Sequence, residues 1–383
     1  MSENPTKICH ITSAHPPFDG RIFHKQCISL VNAGYAVSLV ATYSKAETIR
    51  GVKMVPLSQK KGRFYRFFIK SFQAFFKALK TKSAIYHLHD PELLPAAIAL
   101  KMCGKKVVFD MHELVYHQIA DKDYIGNKAI RKVLAGSYRL LERIGMRVFD
   151  KIVLAEDGYL RYFEKNYPKR LHKLVFIRNY PIIGLIDSMI GERQQHQHTT
   201  EFILVYAGSL TKIRGIKETC EAVRASKYPV KLVLLGRWSD LVYKEQCGID
   251  GEKINYLGEF PLDKVYDVLS NSDLGVSLLY PVENYLTSLP VKAFEYMACG
   301  IPMIMSDFPY WQKTFDGVAK FANPYAVEEI TKLIDWSYEN KNELAKMGAF
   351  AYDKVRKEFS WEGESIALVS MYDGLCGRLP KQQ

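Results

Sequence analysis

No long apolar run is present: nowhere do the roughly 18 consecutive uncharged apolar residues that a membrane-crossing helix needs follow one another. The first residues, MSENPTKICHITSA, have neither the basic start nor the apolar stretch of a secretion signal, so a cytoplasmic protein is expected. Cysteine is sparse. The seven, at 9, 27, 103, 220, 247, 299 and 376, include no CxxC pair and are odd in number, which excludes a disulfide frame and a zinc site. No metal and no cofactor are expected. Acids are also short, 41 Asp and Glu against 53 Lys and Arg, so the net charge is +12 and an anionic partner follows. The shortage is local: Lys60, Lys61, Arg63, Arg66, Lys70, Lys77, Lys80 and Lys82 share a stretch without one acid. That stretch is rich in phenylalanine and carries no nucleic-acid motif, so no nucleic acid is expected as partner.

What is present is an ordinary globular chain, 383 residues at 48% hydrophobic and 25% charged, longer than one core usually serves. Apolar runs KICHITS, AVSLVAT, IYHLHD, KVVFDMHE, KIVLAED and KLVFIRNYP alternate with helical patterns up to about residue 181, which is repeated βαβ and hence a parallel sheet. Polar residues take over from about 182, ending in GERQQHQHTT, and read as a linker. A second series follows with FILVYAG, VKLVLLG, INYLG, LGVSLL and IPMIMSD, then a helical stretch from Phe359. The expected division is 1–190, 191–358, and a C-terminal helix 359–383 crossing back to the first domain. Two such sheets offer one ligand the carboxyl ends of their strands across a cleft.

Within PVENYLTSLPVKAFEYMACGIPMIMSD, Pro290 can open a helix that Gly300 closes, leaving an N-terminus free to face phosphate. Lys292 and Glu295 are three apart and share a face, an ammonium for phosphate and a carboxylate for two ribose hydroxyls. YAGSLTKIRG sets a glycine turn at Gly208 and a cation, Arg214, six residues on. These segments, with AHPPFDGRIFHK, HDPELLP, FDMHE, LLGR, NYLGEF and the final FSW, resemble in order and spacing the retaining glycosyltransferases of family 4. The likeness runs over nearly the whole chain. It implies an α/β fold of the GT-B type, two Rossmann-like doubly wound domains facing a central cleft, with an acceptor-binding first domain and a nucleotide-sugar-binding second one.

The resemblance also implies roles. Glu295 would take the ribose; Arg214, in place of the family's lysine, and Lys292 would hold the diphosphate as it leaves; His112 would meet the transferring sugar. Gly208, Gly236, Arg237, Pro290, Val291, Leu289 and Ser288 would line the donor, and Tyr256 and Leu257 would lie near the base. Two departures stand out, Thr287 where an acid often precedes the ribose glutamate by eight and Ser209 where a base often follows the glycine. Gly20 and Arg21 occupy the first glycine-rich loop of the family. Asp19, His89, Asp90 and Glu92 would shape the acceptor site, although polar strand ends that cap the next helix read equally well.

Phe64, Phe68, Phe72, Phe75 and Leu79 fall on one helical stripe and Arg66, Lys70 and Lys77 on another. Such a helix, near residues 60–82, suits peripheral contact with the inner face of an anionic membrane and a lipid-linked acceptor, or else packs its stripe on the sheet. The reading is a hexosyltransferase moving a sugar from a nucleotide diphosphate, UDP first on family frequency, to a glycan or lipid-linked acceptor in polysaccharide or glycoconjugate synthesis, with retention. The alternatives are a nucleotide-sugar 2-epimerase of the same fold, for which no set of catalytic acids is evident, and a noncatalytic nucleotide-sugar-binding homologue.

Overall fold

The computed structural model describes residues 5–60, 62, 65–111, 128–190 and 201–378. The chain forms two compact units, Met1–Asn179 with Glu364–Gln383, and Tyr180–Gly363.

In the first unit β1 (Lys7–Ile11), β2 (Ala36–Thr42), β3 (Thr48–Ile49), β4 (Val52–Leu57), β5 (Ile85–Leu88), β6 (Lys106–Met111), β7 (Lys151–Leu154) and β8 (Leu174–Phe176) make one sheet. Its order is β3-β4-β2-β1-β5-β6-β7-β8, parallel except for the β3–β4 pair. Near-continuous apolar strands such as Ile85–Leu88, buried at every position, need cover on both faces, which the crossover helices supply. The chain builds outward from β1 to β4 and then returns to lay β5 on the other side of β1. That reversal is the switch point where open α/β sheets take ligands, outside the strands' carboxyl ends. The helix after β1, here α1, is π-helical over Gly20–Cys27 and α-helical over Ile28–Asn32. Asp19 caps it by accepting from the amides of Arg21 and Ile22, both at 2.9 Å.

Helix α2 (Ser71–Lys80) splits the stripe read from the sequence. Phe75 and Leu79 pack on the core, while Phe72 is 65% exposed and, with Ile69 and Phe76, faces outward. Lys70 and Lys77 turn inward to the Thr42 hydroxyl and the Pro56 carbonyl. The side chains of Phe64, Arg66 and Phe68 lie outside the described residues.

In the second unit β9 (Phe202–Ala207), β10 (Val230–Leu235), β11 (Ile254–Gly258), β12 (Leu274–Ser277), β13 (Met303–Ser306) and β14 (Ala319–Ala322) pair in the order β11-β10-β9-β12-β13-β14, all parallel. The switch point lies between β9 and β12. Apolar clusters pack on both faces, one around Phe294, Met297 and Trp311 and one around Leu204, Leu232 and Ile334.

The expected boundary at 190 moves to Asn179/Tyr180, because the segment read as linker contains a helix, Ile183–Ile190, whose Ile183 and Ile186 bury among Tyr266 and Phe294. The expected boundary at 358 moves to Gly363/Glu364. Helix α3 (Trp361–Cys376) starts with the second unit, where the Trp361 amide bonds the Pro181 carbonyl, and continues into the first.

Candidate functional site

In the second unit the site grows from the ends of β9 and β12. Beyond β9 the chain turns at Gly208 (φ 136°), and beyond β10 at Gly236 (φ 131°), conformations open to glycine. The turns abut so closely that a Cβ on Gly236 would collide with the Gly208 carbonyl oxygen. Gly236→Ala therefore combines positive-φ strain with a backbone clash, and a loss of stability above about 2 kcal/mol is expected in urea unfolding. After Gly208 the loop crosses to the neighbouring strand end, where the Tyr280 amide donates to the Ile213 carbonyl at 2.9 Å.

The helix Val291–Ala298, here α4, which leads from β12 to β13 after the short helix Glu283–Leu286, is fastened across the same switch point by one hydroxyl. Tyr296 Oη accepts from the Ala207 amide at 3.1 Å and reaches the Val276 carbonyl at 3.3 Å, so α4 is tied to both β9 and β12. Four residues earlier on the same stripe stands Lys292. Its Nζ lies 3.5 Å from the centroid of the Tyr206 ring, and a Cβ on Gly208 would be 3.2 Å from it. The Arg214 guanidinium, bonded to the Tyr206 and Tyr285 hydroxyls, stands beside it over the same glycine.

Lys292 is 8% exposed, and its Nζ has no hydrogen-bond partner among the described residues. Burial and the neighbouring Arg214 push its pKa well below 10.5, against the pull of Glu295. Two cations side by side, one of them buried without a hydrogen-bond partner among the described residues, are an arrangement able to hold an anion. Glu295, half-buried on the adjoining stripe, accepts from the Tyr266 hydroxyl at 3.2 Å, which fixes a carboxylate one turn from the ammonium.

Other residues read from the sequence sit as follows. Ser209 and Thr287 are exposed, and the Thr287 hydroxyl bonds back to the Glu283 carbonyl at 3.3 Å. The Ser288 carbonyl accepts from Trp311 Nε1 at 2.8 Å, Leu289 is buried, and Pro290 and Val291 open α4 half-exposed. Arg237 extends into solvent, 3.9 Å from Glu259. Tyr256 spends its hydroxyl on the Gly236 carbonyl at 3.0 Å and its ring on Trp238, so it braces the Gly236 turn, whereas Leu257, on the opposite face of the strand, is exposed. Tyr206, Tyr266, Tyr285 and Tyr296, which position the charged groups, carry no sequence signal beyond lying near them.

In the first unit Arg21 lies in the first turn of α1 and turns inward. It is buried and bidentate to Asp110, at 3.1 and 3.0 Å, and Gln26 Nε2 donates to the same carboxylate at 2.7 Å. A buried carboxylate claims the nearest guanidinium, and that fixes the start of α1 to β6. His10, His87 and His89 surround this pair, their ligand atoms within 4.8 Å of one another, the one trio among the described residues spaced to hold a metal. Most of their nitrogens are engaged, His10 Nδ1 with His89 Nε2 at 2.9 Å, His87 Nδ1 with the Tyr372 hydroxyl at 2.7 Å, His89 Nδ1 at 3.4 Å from Asp110, while His87 Nε2 stands 3.9 Å from Asp110. Burial and His87 push the His10 pKa well below 6.5 against the pull of Asp110, so His10 is neutral.

Asp90 and Glu92, also read as acceptor residues, are buried. Asp90 accepts from the Thr12 hydroxyl at 2.9 Å, the Ala14 amide at 3.1 Å and the Ser13 amide, and Glu92 from the Ser13 hydroxyl at 3.0 Å. Both organise the loop after β1. Gly20 opens α1 with open space around its Cα. His112 lies outside the described residues.

Two Rossmann-like α/β units, with two neighbouring cations at the second switch point, make a fold of the GT-B type. Residues 190–354 match the family model described as glycosyl transferases group 1. In structure the chain is similar to sucrose-phosphate synthase from Thermosynechococcus elongatus, at 17% identity and a TM-score of 0.74, over 97% of this chain and 99% of that one. It is similar to Anabaena Alr3699/HepE in complex with UDP and glucose, at 14% and 0.72, over 96% and 100%. A glycosyltransferase from Rickettsia africae ESF-5 gives 12% and 0.69, over 97% and 99%. No curated protein matches the sequence.

Proposed function

We propose that the protein transfers a hexosyl group from a nucleotide diphosphate sugar, a UDP-sugar first, to a hydroxyl of a glycan or lipid-linked acceptor in polysaccharide or glycoconjugate synthesis, with retention of configuration. The observation that carries this reading is the unbonded, buried Lys292 ammonium beside Arg214 over the Gly208 turn. A leaving diphosphate supplies the negative charge this pair lacks, and preorganised cations stabilise it most where charge develops. The reading needs no metal, since the two cations do the neutralising. Glu295, one turn along α4, takes the ribose. That the Anabaena structure holds UDP and glucose supports UDP as the first donor to try. No helix among the described residues is long and apolar enough to cross a membrane. The outward Ile69, Phe72 and Phe76, with the acid-free stretch around them, support peripheral contact with the inner face of an anionic membrane.

Calorimetry with UDP tests the donor site. Glu295→Ala is expected to weaken UDP binding by about 1 to 3 kcal/mol, the range for a hydrogen bond to a charged group. Equal binding by wild type and variant would remove the ribose assignment, and no binding by either would favour the noncatalytic reading.

A further inference from the structure

Three helices of the first unit lie side by side over one apolar cluster: α2, the helix Leu94–Met102 in the middle, and the long helix Lys128–Val148. Ala74 and Ala78, Leu94 and Ala97, Tyr138 and Met146 face that cluster, so the opposite side of each helix looks away from the sheet. On the long helix the outward stripe runs Val133, Gly136, Leu140, Arg143 and Arg147 at spacings of three and four, with Val133 67% and Leu140 59% exposed. The middle helix ends in Met102, 84% exposed, and α2 adds Phe72 and Phe76, whose rings meet edge to face at 4.6 Å. The charges around them are of one sign. From Lys60 to Lys106 the acids are Asp90 and Glu92, and in Lys128–Val148 the acid is Glu142. All three are buried, Glu142 accepting from the Tyr162 and Tyr167 hydroxyls, both at 2.6 Å. Asp150, just beyond the long helix, is held by Lys101 through two bonds of 2.7 Å. The exposed charges of the layer include Lys80, Lys82, Lys132, Arg143 and Arg147.

Apolar side chains held out from a cationic surface without an exposed acid fit the boundary between water and an anionic bilayer. There the apolar tips pass the head groups while the bases stay among the phosphates. A nucleic acid would use the cations and gain nothing from Val133, Leu140 and Met102. We propose that the first unit meets an anionic bilayer with this whole three-helix layer, the long helix supplying a second anchor beside α2. Val133 and Leu140 enter the head-group region, and Arg143 and Arg147 meet lipid phosphates. The proposal rests on the peripheral-contact reading above, which invokes the α2 region alone, and extends it to a defined surface.

Sedimentation with vesicles of phosphatidylglycerol and phosphatidylcholine in equal parts tests it. Leu140→Glu, and the double variant Arg143→Glu with Arg147→Glu, should each partition to the vesicles at least about tenfold more weakly than wild type, with melting temperature unchanged. Phe72→Glu should weaken binding similarly, and vesicles of phosphatidylcholine alone should hold wild type far less. A polarity-sensitive fluorophore on Cys103, exposed just after the middle helix, should shift to the blue on vesicle addition in a Cys376→Ser background. That label decides the matter if the long-helix variants fail to fold. Long-helix variants that fold and bind as wild type does, while Phe72→Glu does not, overturn the three-helix surface and leave α2 as the contact. A Cys103 label that keeps its emission in water on sedimented protein overturns it as well. Equal sedimentation with neutral vesicles overturns the anionic partner. Wild type that stays in the supernatant sinks the peripheral-contact reading itself.

Discussion

Replacing Lys292 with methionine is expected to lower UDP release from UDP-glucose by about 10²- to 10³-fold, the effect of removing one preorganised donor to a developing charge. The same variant is expected to be at least as stable as wild type. The ammonium is buried without a hydrogen-bond partner among the described residues, its charge opposed by burial and by Arg214. Methionine keeps much of the stem against Tyr206 and removes the charge. The pH dependence follows from the same shift. A lysine whose folded pKa is depressed leaves the unfolded chain holding the extra proton, so this group's contribution weakens the fold as pH drops from 10.5 toward the depressed value. In that window a bound diphosphate restores the charge, so UDP binding should take up a proton, seen as a buffer-dependent enthalpy in calorimetry and absent from Lys292→Met. A variant that loses several kcal/mol of stability and keeps its rate would make Lys292 a structural residue.

The parts of this site that were legible in the sequence are those whose residue type already states a chemistry. The sequence placed Lys292, Glu295 and Arg214 at a helix start and beside a glycine turn, and the structure brings them near one another; the strands from KICHITS to IPMIMSD were readable because buried parallel strands are continuous apolar runs. Strand β4 was missed because VKMVPL contains Pro56, tolerated here beside β2 alone near the edge, and β14 because AKFA is short. The partner of Arg21 was not legible for a physical reason. Asp110 lies 89 residues away, and pairing across that distance has no local signature. The same holds for the hydroxyls that aim the charged groups, since Tyr296 acts on strand ends 89 and 20 residues distant. His15 and Asp90, 75 apart, become a pair only when β5 is laid beside β1.

The second large effect lies in that buried frame of the first unit. Asp110→Ala is expected to destabilise it by about 3 to 5 kcal/mol, because the change leaves the buried Arg21 guanidinium without its counter-charge. The carboxylate also accepts from Gln26 and faces His87 and His89, and His87 in turn holds Tyr372 of α3, so the loss should loosen the returning helix as well as the start of α1. Removing both charges with Arg21→Met and Asp110→Leu should recover most of the stability, since replacing a buried ion pair with apolar groups of similar size is often neutral. The four tryptophans, at 238, 311, 336 and 361, all belong to Tyr180–Gly363, so their fluorescence follows the second unit alone. The expected signature of Asp110→Ala is therefore a fall in the urea midpoint seen by far-ultraviolet circular dichroism while the tryptophan midpoint holds. Equal shifts in both signals would mean that the two units unfold as one, and no shift in either would mean that Arg21 finds another partner or reaches water.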